Sequence, residues 1–269
     1  MSDVLDASTA IAFEHVSVGY RLPRQPLGTF KEFAVRRLRG ERVEHADVWA
    51  LRDVTFDVRS GEIFGVIGAN GAGKSTLLKV VSRVLHPTSG RVRVRGRVAP
   101  LLELGAGFHP DLTGRENVFL NGTLLGRSRN EIDAHMNAIL GFAELGRAIE
   151  HPLRTYSTGM VARLGFAVAT AWRPDILILD EVMAVGDLSF QQKCQSRLQE
   201  FRRVGSTILV VSHGLSEVAR LCSRVAWLEN GTVKAIGGGA EVTAEYKRSK
   251  RAVGAPVDPA PAGMAPAYD

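Results

Sequence analysis

Residues 68–76 read Gly-Ala-Asn-Gly-Ala-Gly-Lys-Ser-Thr and follow the apolar run Glu62-Ile-Phe-Gly-Val-Ile67. The spacing G-x-x-x-x-G-K-[ST] requires a strand before it, a helix after it and a tight loop between them. The strand is expected over 62–67, and the helix from near Gly73 to about Leu85. Gly68, Gly71 and Gly73 let the loop turn tightly. The backbone from Gly68 through Ala69, Asn70, Gly71 and Ala72 to Gly73 can then lay its N–H groups against phosphate oxygens. The helix N-terminus adds a partial positive charge. Lys74 can reach the β- and γ-phosphates, the Ser75 hydroxyl can ligate Mg²⁺, and Thr76 completes the motif. The pattern points to a nucleoside triphosphate.

Composition narrows the setting. No run approaches the roughly 18 apolar residues that span a bilayer, and the most apolar helix candidate, Met160 to Trp172, is interrupted by Arg163. Residues Met1 to Asp6 carry two acids and no basic segment, so they do not read as a signal peptide. The two cysteines, Cys194 and Cys222, lack metal-ligand spacing, and a reducing, cytoplasmic home is expected. The net charge of +6 fits an anionic partner or an arginine-rich composition with no partner attached.

Ala10 to Tyr20 and Val48 to Val58 alternate as strands. Between them, residues 21–47 hold seven Lys/Arg against four Asp/Glu, half the net charge of the chain. Within that stretch Thr29 and Glu32 have capping-box spacing, and Phe30, Phe33 and Leu38 would share a face apart from Arg36 and Arg39. Arg91 to Val98 reads as one exposed strand. Helices are expected at Asn117–Leu125, Glu131–Leu145, Met160–Trp172, Phe190–Val204 and Leu215–Leu221, with a strand at Thr207–Val211. Arg224–Leu228 and Val233–Gly237 form a hairpin over Asn230-Gly231. After about Arg251 the Ala/Pro/Gly tail reads as disordered.

A second phosphate motif is Ile176-Leu-Ile-Leu-Asp-Glu181. A buried parallel strand ending in acids would hold Asp180 against Mg²⁺ through water and leave Glu181 to polarise the attacking water. With these residues in order, the chain resembles ATP-binding-cassette proteins over about 10–240. Tyr156-Ser157-Thr158-Gly159-Met160 looks like a divergent form of that family's signature, and His213 fits its switch histidine. The resemblance implies phosphate contacts from Ser157 and Gly159, since Thr158 and Met160 depart from the usual glycine and glutamine. Leu101 to Pro110, Thr113 to Asn117 and Asp180 to Asp187 further resemble the ATPase subunits of bacterial polysaccharide exporters. Here Glu103 stands where a glutamine is usual; it can ligate Mg²⁺ but cannot donate as an amide.

The resemblance implies an α/β P-loop domain over 10–245, with a mixed sheet, an antiparallel N-terminal β portion, the basic insertion 21–47 and a helical insert over 112–160. Residues 1–9 and 251–269 are expected to be tails. It also implies an ATPase that uses ATP and Mg²⁺ as a head-to-tail homodimer. The dimer would sit peripherally at the cytoplasmic face of the inner membrane, against a permease dimer that carries a lipid-linked polysaccharide. Adenine would stack on Tyr20, which ends the first strand, or on Trp49. Some O-antigen exporters carry a C-terminal carbohydrate-binding domain, and these 269 residues leave no room for one. Two other roles stay open: the ATPase of another transporter, or a soluble cassette acting on nucleic acid or ribosomes. The latter usually carries two cassettes or a long coiled coil, neither of which is present, so no nucleic-acid partner is expected.

Overall fold

Apolar residues at alternate positions sort the strands of the computed structural model into two sheets. It describes residues 6, 8–23, 45–101, 105–180, 187–212 and 214–254. Strands β1 (Thr9–Pro23), β2 (His45–Arg59) and β4 (Ser89–Val94) form an antiparallel sheet in the order β2-β1-β4. The second sheet has the order β5-β6-β7-β3-β8-β9, built from β3 (Ile63–Ile67), β5 (Val98–Leu101), β6 (Ile176–Asp180), β7 (Thr207–Val211), β8 (Arg224–Glu229) and β9 (Thr232–Gly238). Its first five strands are parallel, and only β9 runs antiparallel. The expected α/β architecture with a mixed sheet and an antiparallel N-terminal portion is therefore present.

The period-2 rule divides the parallel strands between two apolar clusters. Phe64, Val66, Ile178 and Leu209 face a cluster shared with Phe13, Val54 and Phe56 of the antiparallel sheet. Helix α1 (Lys74–Val81) lies in this layer and buries Leu77, Leu78, Val80 and Val81 there. Phe13, Phe56 and Phe64 stack in series at centroid spacings of 4.6 and 5.3 Å, which ties the two sheets together. The alternate residues Ile63, Ile67, Leu177 and Ile208 face the opposite side, under α5 (Leu188–Arg203), α6 (Leu215–Leu221) and α7 (Gly239–Gly254).

A third cluster belongs to α2 (Gly114–Leu124), α3 (Arg129–Ala143) and α4 (Thr158–Ala169), through Val118, Ile132, Ile139, Leu164 and Val168. Both α2 and α3 begin earlier than apolar periodicity indicates, because capping boxes set their starts. Thr113 with Glu116 and Ser128 with Glu131 each satisfy the first-turn N–H groups reciprocally. Those bonds, to the Thr113 and Ser128 backbone first, hold both carboxyls below the usual range.

Three further differences from the sequence reading lie in the sheets, the basic insertion and the C-terminal helix. The run 91–98 is not one strand: the chain leaves the first sheet after Val94 and enters the second at Val98. It turns at Gly96, where φ is +92° and a Cβ would sit 2.5 Å from that of Asp175. β1 and β2 pair three residues into the expected insertion at each end, through Arg21↔Asp47, Leu22↔Ala46 and Pro23↔His45. The rest of that insertion, 24–44, and the tail 255–269 lie outside the described residues. Helix α7 was not anticipated; it runs past 245 to Gly254 and is anchored by Tyr246 edge-on to Trp227 at 5.4 Å. Among the described residues no helix is long and apolar enough to cross a membrane.

Asn117, fully buried, holds the entry to the helical insert. Its Oδ1 accepts from the His109 N–H at 2.7 Å, and its Nδ2 donates to the His109, Leu112 and Thr113 carbonyls at 2.9–3.1 Å. Asn117→Leu should lower the unfolding free energy in urea titration by about 1–3 kcal/mol, the cost of stranding these backbone groups. An unchanged midpoint would mean that the loop satisfies them by another route.

Candidate active site

β3, buried at every position, ends at Ile67, and α1 begins at Lys74, so the expected strand–loop–helix is present around Gly68–Gly73. The helix is shorter than expected, ending at Val81 rather than near Leu85. Two glycines fix the loop's path. Gly68 (φ +157°) passes so close to β8 that a Cβ would lie 2.4 Å from the Leu228 carbonyl oxygen. Gly73 (φ +104°) passes so close to β2 that a Cβ would lie 2.5 Å from the Ala50 carbonyl oxygen. Backbone bonds strap the loop in place. The Gly231 N–H donates to the Ala72 carbonyl at 3.1 Å, and the Arg52 N–H donates to Gly231 at 2.8 Å.

Lys74 is 8% exposed, and its Nζ arches back to donate to the Gly68 and Ala69 carbonyls at 2.9 and 3.0 Å. The cation is thus held over the loop rather than in solvent. Ala69, Asn70, Gly71 and Ser75 are exposed, Thr76 is half-buried, and Ala72 is buried. Backbone amides, a fixed ammonium and a hydroxyl at a helix N-terminus make a cradle for a polyphosphate.

The acid strand arrives at the same edge. Asp180 is in register with Val211, and Val211 with Val66, so the end of β6 lies two strands from the end of β3, about 10 Å away. Leu101, the end of β5, pairs with Leu179. Glu181, Glu103 and His213, expected just beyond β6, β5 and β7, lie outside the described residues.

Ser157 caps α4, its Oγ accepting from the Met160 N–H at 3.2 Å. Ser157 is exposed, and Gly159 is half-buried with space around it. The preceding Tyr156 is locked from behind: its hydroxyl donates to the Ala148 carbonyl at 2.6 Å, and a Cβ at Gly114 would strike that hydroxyl. The structure does not unite this motif with the loop. α1 seats on the cluster between the sheets, whereas α4 seats mainly on the helical insert's own cluster.

Two residues missed from the sequence link α4 to the segment after the acid strand. Asp187 caps α5, accepting from the Phe190 N–H at 2.9 Å and the Ser189 hydroxyl at 2.7 Å, and these bonds hold its carboxyl below the usual range. Arg163 of α4 pairs with Asp187 and lies over the Phe190 ring at 5.0 Å. The Asp-x-x-Phe spacing before α5 was the available cap signal. Tyr20 and Trp49 are partly exposed, at 39% and 37%. They occupy neighbouring rungs of the β1–β2 ladder, Tyr20 opposite Val48 and Trp49 opposite Gly19. Their side chains therefore point to opposite faces. A cavity of about 640 Å³ between α5 and α6 contains none of the loop's residues.

A family model described as "ABC transporter" matches residues 51–184. The chain is 52% identical over 200 residues, 74% of its length and 81% of the relative's, to the O-antigen export system ATP-binding protein RfbB of Klebsiella pneumoniae. It is 40% identical over 243 residues, 90% of its length, to the teichoic acids export ATP-binding protein TagH of Levilactobacillus brevis, of which it spans 66%. A solved structure described as the ATP binding subunit of an ABC transporter superposes with a TM-score of 0.69. That match has 25% identity and covers 89% of this chain and 94% of the other.

Gly73→Ala should be tested on this geometry. The new Cβ must displace β2 or the loop, so the thermal midpoint should fall and ATP titration should show at least about tenfold weaker binding, the scale of 1.4 kcal/mol. Wild-type affinity would mean that the strap is not needed to hold the loop.

Proposed function

The chain belongs to the ATP-binding-cassette transporter family, and from that premise we propose that it powers export of a lipid-linked cell-surface polysaccharide across the cytoplasmic membrane. The polymer would be of the O-antigen, capsule, galactan or teichoic acid type. The family is that of ATP-hydrolysing cassettes, and the assignment to export rests on 52% identity with an O-antigen export subunit across 81% of that relative. The fixed Lys74 ammonium above the loop is the local feature that fits this role.

In this reading the backbone of Gly68–Gly73 and Lys74 grips the β- and γ-phosphates, and Thr76 lies beside them. Tyr20 stacks on adenine in preference to Trp49. Mg²⁺ fits the donor chemistry available, since the Ser75 hydroxyl, the Asp180 carboxylate and Glu103 are all hard oxygen ligands. It would be held by those residues and would neutralise charge on the phosphates. Glu181 accepts the proton of the attacking water, and His213 orients the γ-phosphate. Ser157 and Gly159 serve the nucleotide of a second copy, because one loop and one signature on separate apolar clusters suit a C₂ pair with two shared sites. A permease dimer at the cytoplasmic face of the membrane would convert closure and opening of that pair into polymer movement.

Three measurements examine this reading. Glu181→Gln should keep ATP binding, lose turnover and trap a dimer in ATP and Mg²⁺, because an amide cannot accept the proton. Persistent turnover with monomer alone would remove Glu181 from the role. Lys74→Ala and Ser157→Arg should each be inactive alone, but mixing them should restore partial ATPase through heterodimers with one intact site. Zero activity with heterodimers demonstrated would argue against shared sites. Replacing 24–44 with a short Gly/Ser linker should leave basal ATPase largely intact and stop polymer reaching the cell surface, since this basic stretch lies outside every nucleotide motif. Normal surface polymer would make the stretch dispensable for export.

A further inference from the structure

A cavity of about 420 Å³ lies apart from the loop's phosphate cradle, where the far end of α1 meets the helical insert. Its wall carries three arginines: Arg83 after α1, Arg97 between the two sheets, and Arg127 in the turn from α2 to α3. Three polar atoms of the same wall are buried without a hydrogen-bond partner: Ser82 Oγ, Arg127 Nε and Trp172 Nε1. Trp172 is 9% exposed, and the Arg127 side chain is 12% exposed. All three atoms are sealed off from the cavity's open space, so the donors this wall offers are its guanidinium groups.

The neighbouring carboxylates do not supply one. Glu131 uses Oε2 on the Ser128 N–H and hydroxyl. Its Oε1 stands 3.8 Å from Arg127 Nη1, too far for a hydrogen bond. Asp175 uses Oδ2 on the Arg97 backbone N–H at 2.7 Å. Arg127 is held in place by the Trp172 ring beneath it, 5.1 Å from the centroid, and Arg83 ends α1 in a left-handed conformation (φ +59°) with its Nη2 donating to the Val94 carbonyl at 3.4 Å.

We infer that this cavity is a binding site for a phosphate-class oxyanion, gripped by Arg83, Arg97 and Arg127. Guanidinium groups favour phosphate through paired, charge-assisted bonds. An anion there would bridge the carboxyl end of the loop's own helix to the α2–α3 turn, and so join the two separately cored parts of the chain. The phosphoryl group could be free in solution or carried by a lipid.

The test is calorimetric titration of the full chain with inorganic phosphate, with the loop blocked by Mg²⁺ and a non-hydrolysable ATP analogue. One further site should appear. Arg97→Gln and Arg83→Gln should each weaken it by about tenfold or more while leaving analogue affinity unchanged. Arg97 is exposed, so its variant should fold normally whatever happens at Arg83. A parallel arm uses phosphatidylcholine vesicles with and without phosphatidic acid. Binding that needs phosphatidic acid, is displaced by free phosphate and is lost in Arg97→Gln assigns a lipid-borne phosphoryl group; titration in solution alone assigns a free one. Absence of phosphate binding with the loop blocked, binding indifferent to both substitutions, or acetate binding as tightly as phosphate would overturn the inference.

Discussion

Everything in this fold leans on the backbone contacts that pin the loop 68–73. Ala50 of β2, Leu228 of β8 and Gly231 of the β8–β9 turn close on it from different elements, at separations that exclude even a methyl group at Gly68 and Gly73. The antiparallel sheet is therefore more than a cover for the apolar face of the parallel one. β2 forms one wall around the loop, and the stacked rings of Phe13, Phe56 and Phe64 hold that wall at a fixed distance. A cradle set by backbone needs little reorganisation when a ligand arrives, which favours tight binding of a highly charged group.

The polar contacts around the signature work differently. Arg163 with Asp187, and Lys193 with Glu144, are partly exposed pairs of a kind worth about 0–1 kcal/mol each. Their importance is directional. They lace α4 and α3 to α5, which starts just beyond the acid strand. Burial supplies the stability: Phe142 of α3 packs both against the insert's cluster and against Phe166 and Phe190 of the neighbouring one, so one side chain bridges two apolar bodies. The insert is thus cored on its own and attached at few points.

Legibility followed the physics of each region. The loop and its flanking elements were readable because glycine at positive φ and a lysine at a helix start leave few alternatives. Strands β3, β6 and β7 were readable from short apolar runs, and the β8–β9 turn from Asn230-Gly231, both at positive φ. Helix α7 was invisible because its inward-packed residues, the buried Val242 and Thr243 and the half-buried Tyr246, mix polar and apolar types, and Thr243 satisfies its hydroxyl on the Gly239 carbonyl. The break at Gly96 was missed because alternation continues through it while the chain changes sheets. The partnership of Arg163 with Asp187 is tertiary, and no local pattern announces it.

The long β1–β2 ladder has an evolutionary consequence. Because pairing persists to Pro23↔His45, segment 24–44 is tethered between two residues that face each other across one rung, about 5 Å apart. A segment tethered at such a port can change length cheaply, each doubling adding only about 0.6 kcal/mol of closure entropy. Lineages sharing this ATPase engine could therefore exchange that stretch wholesale, diversifying what they dock against while the catalytic body stays under its own separate selection.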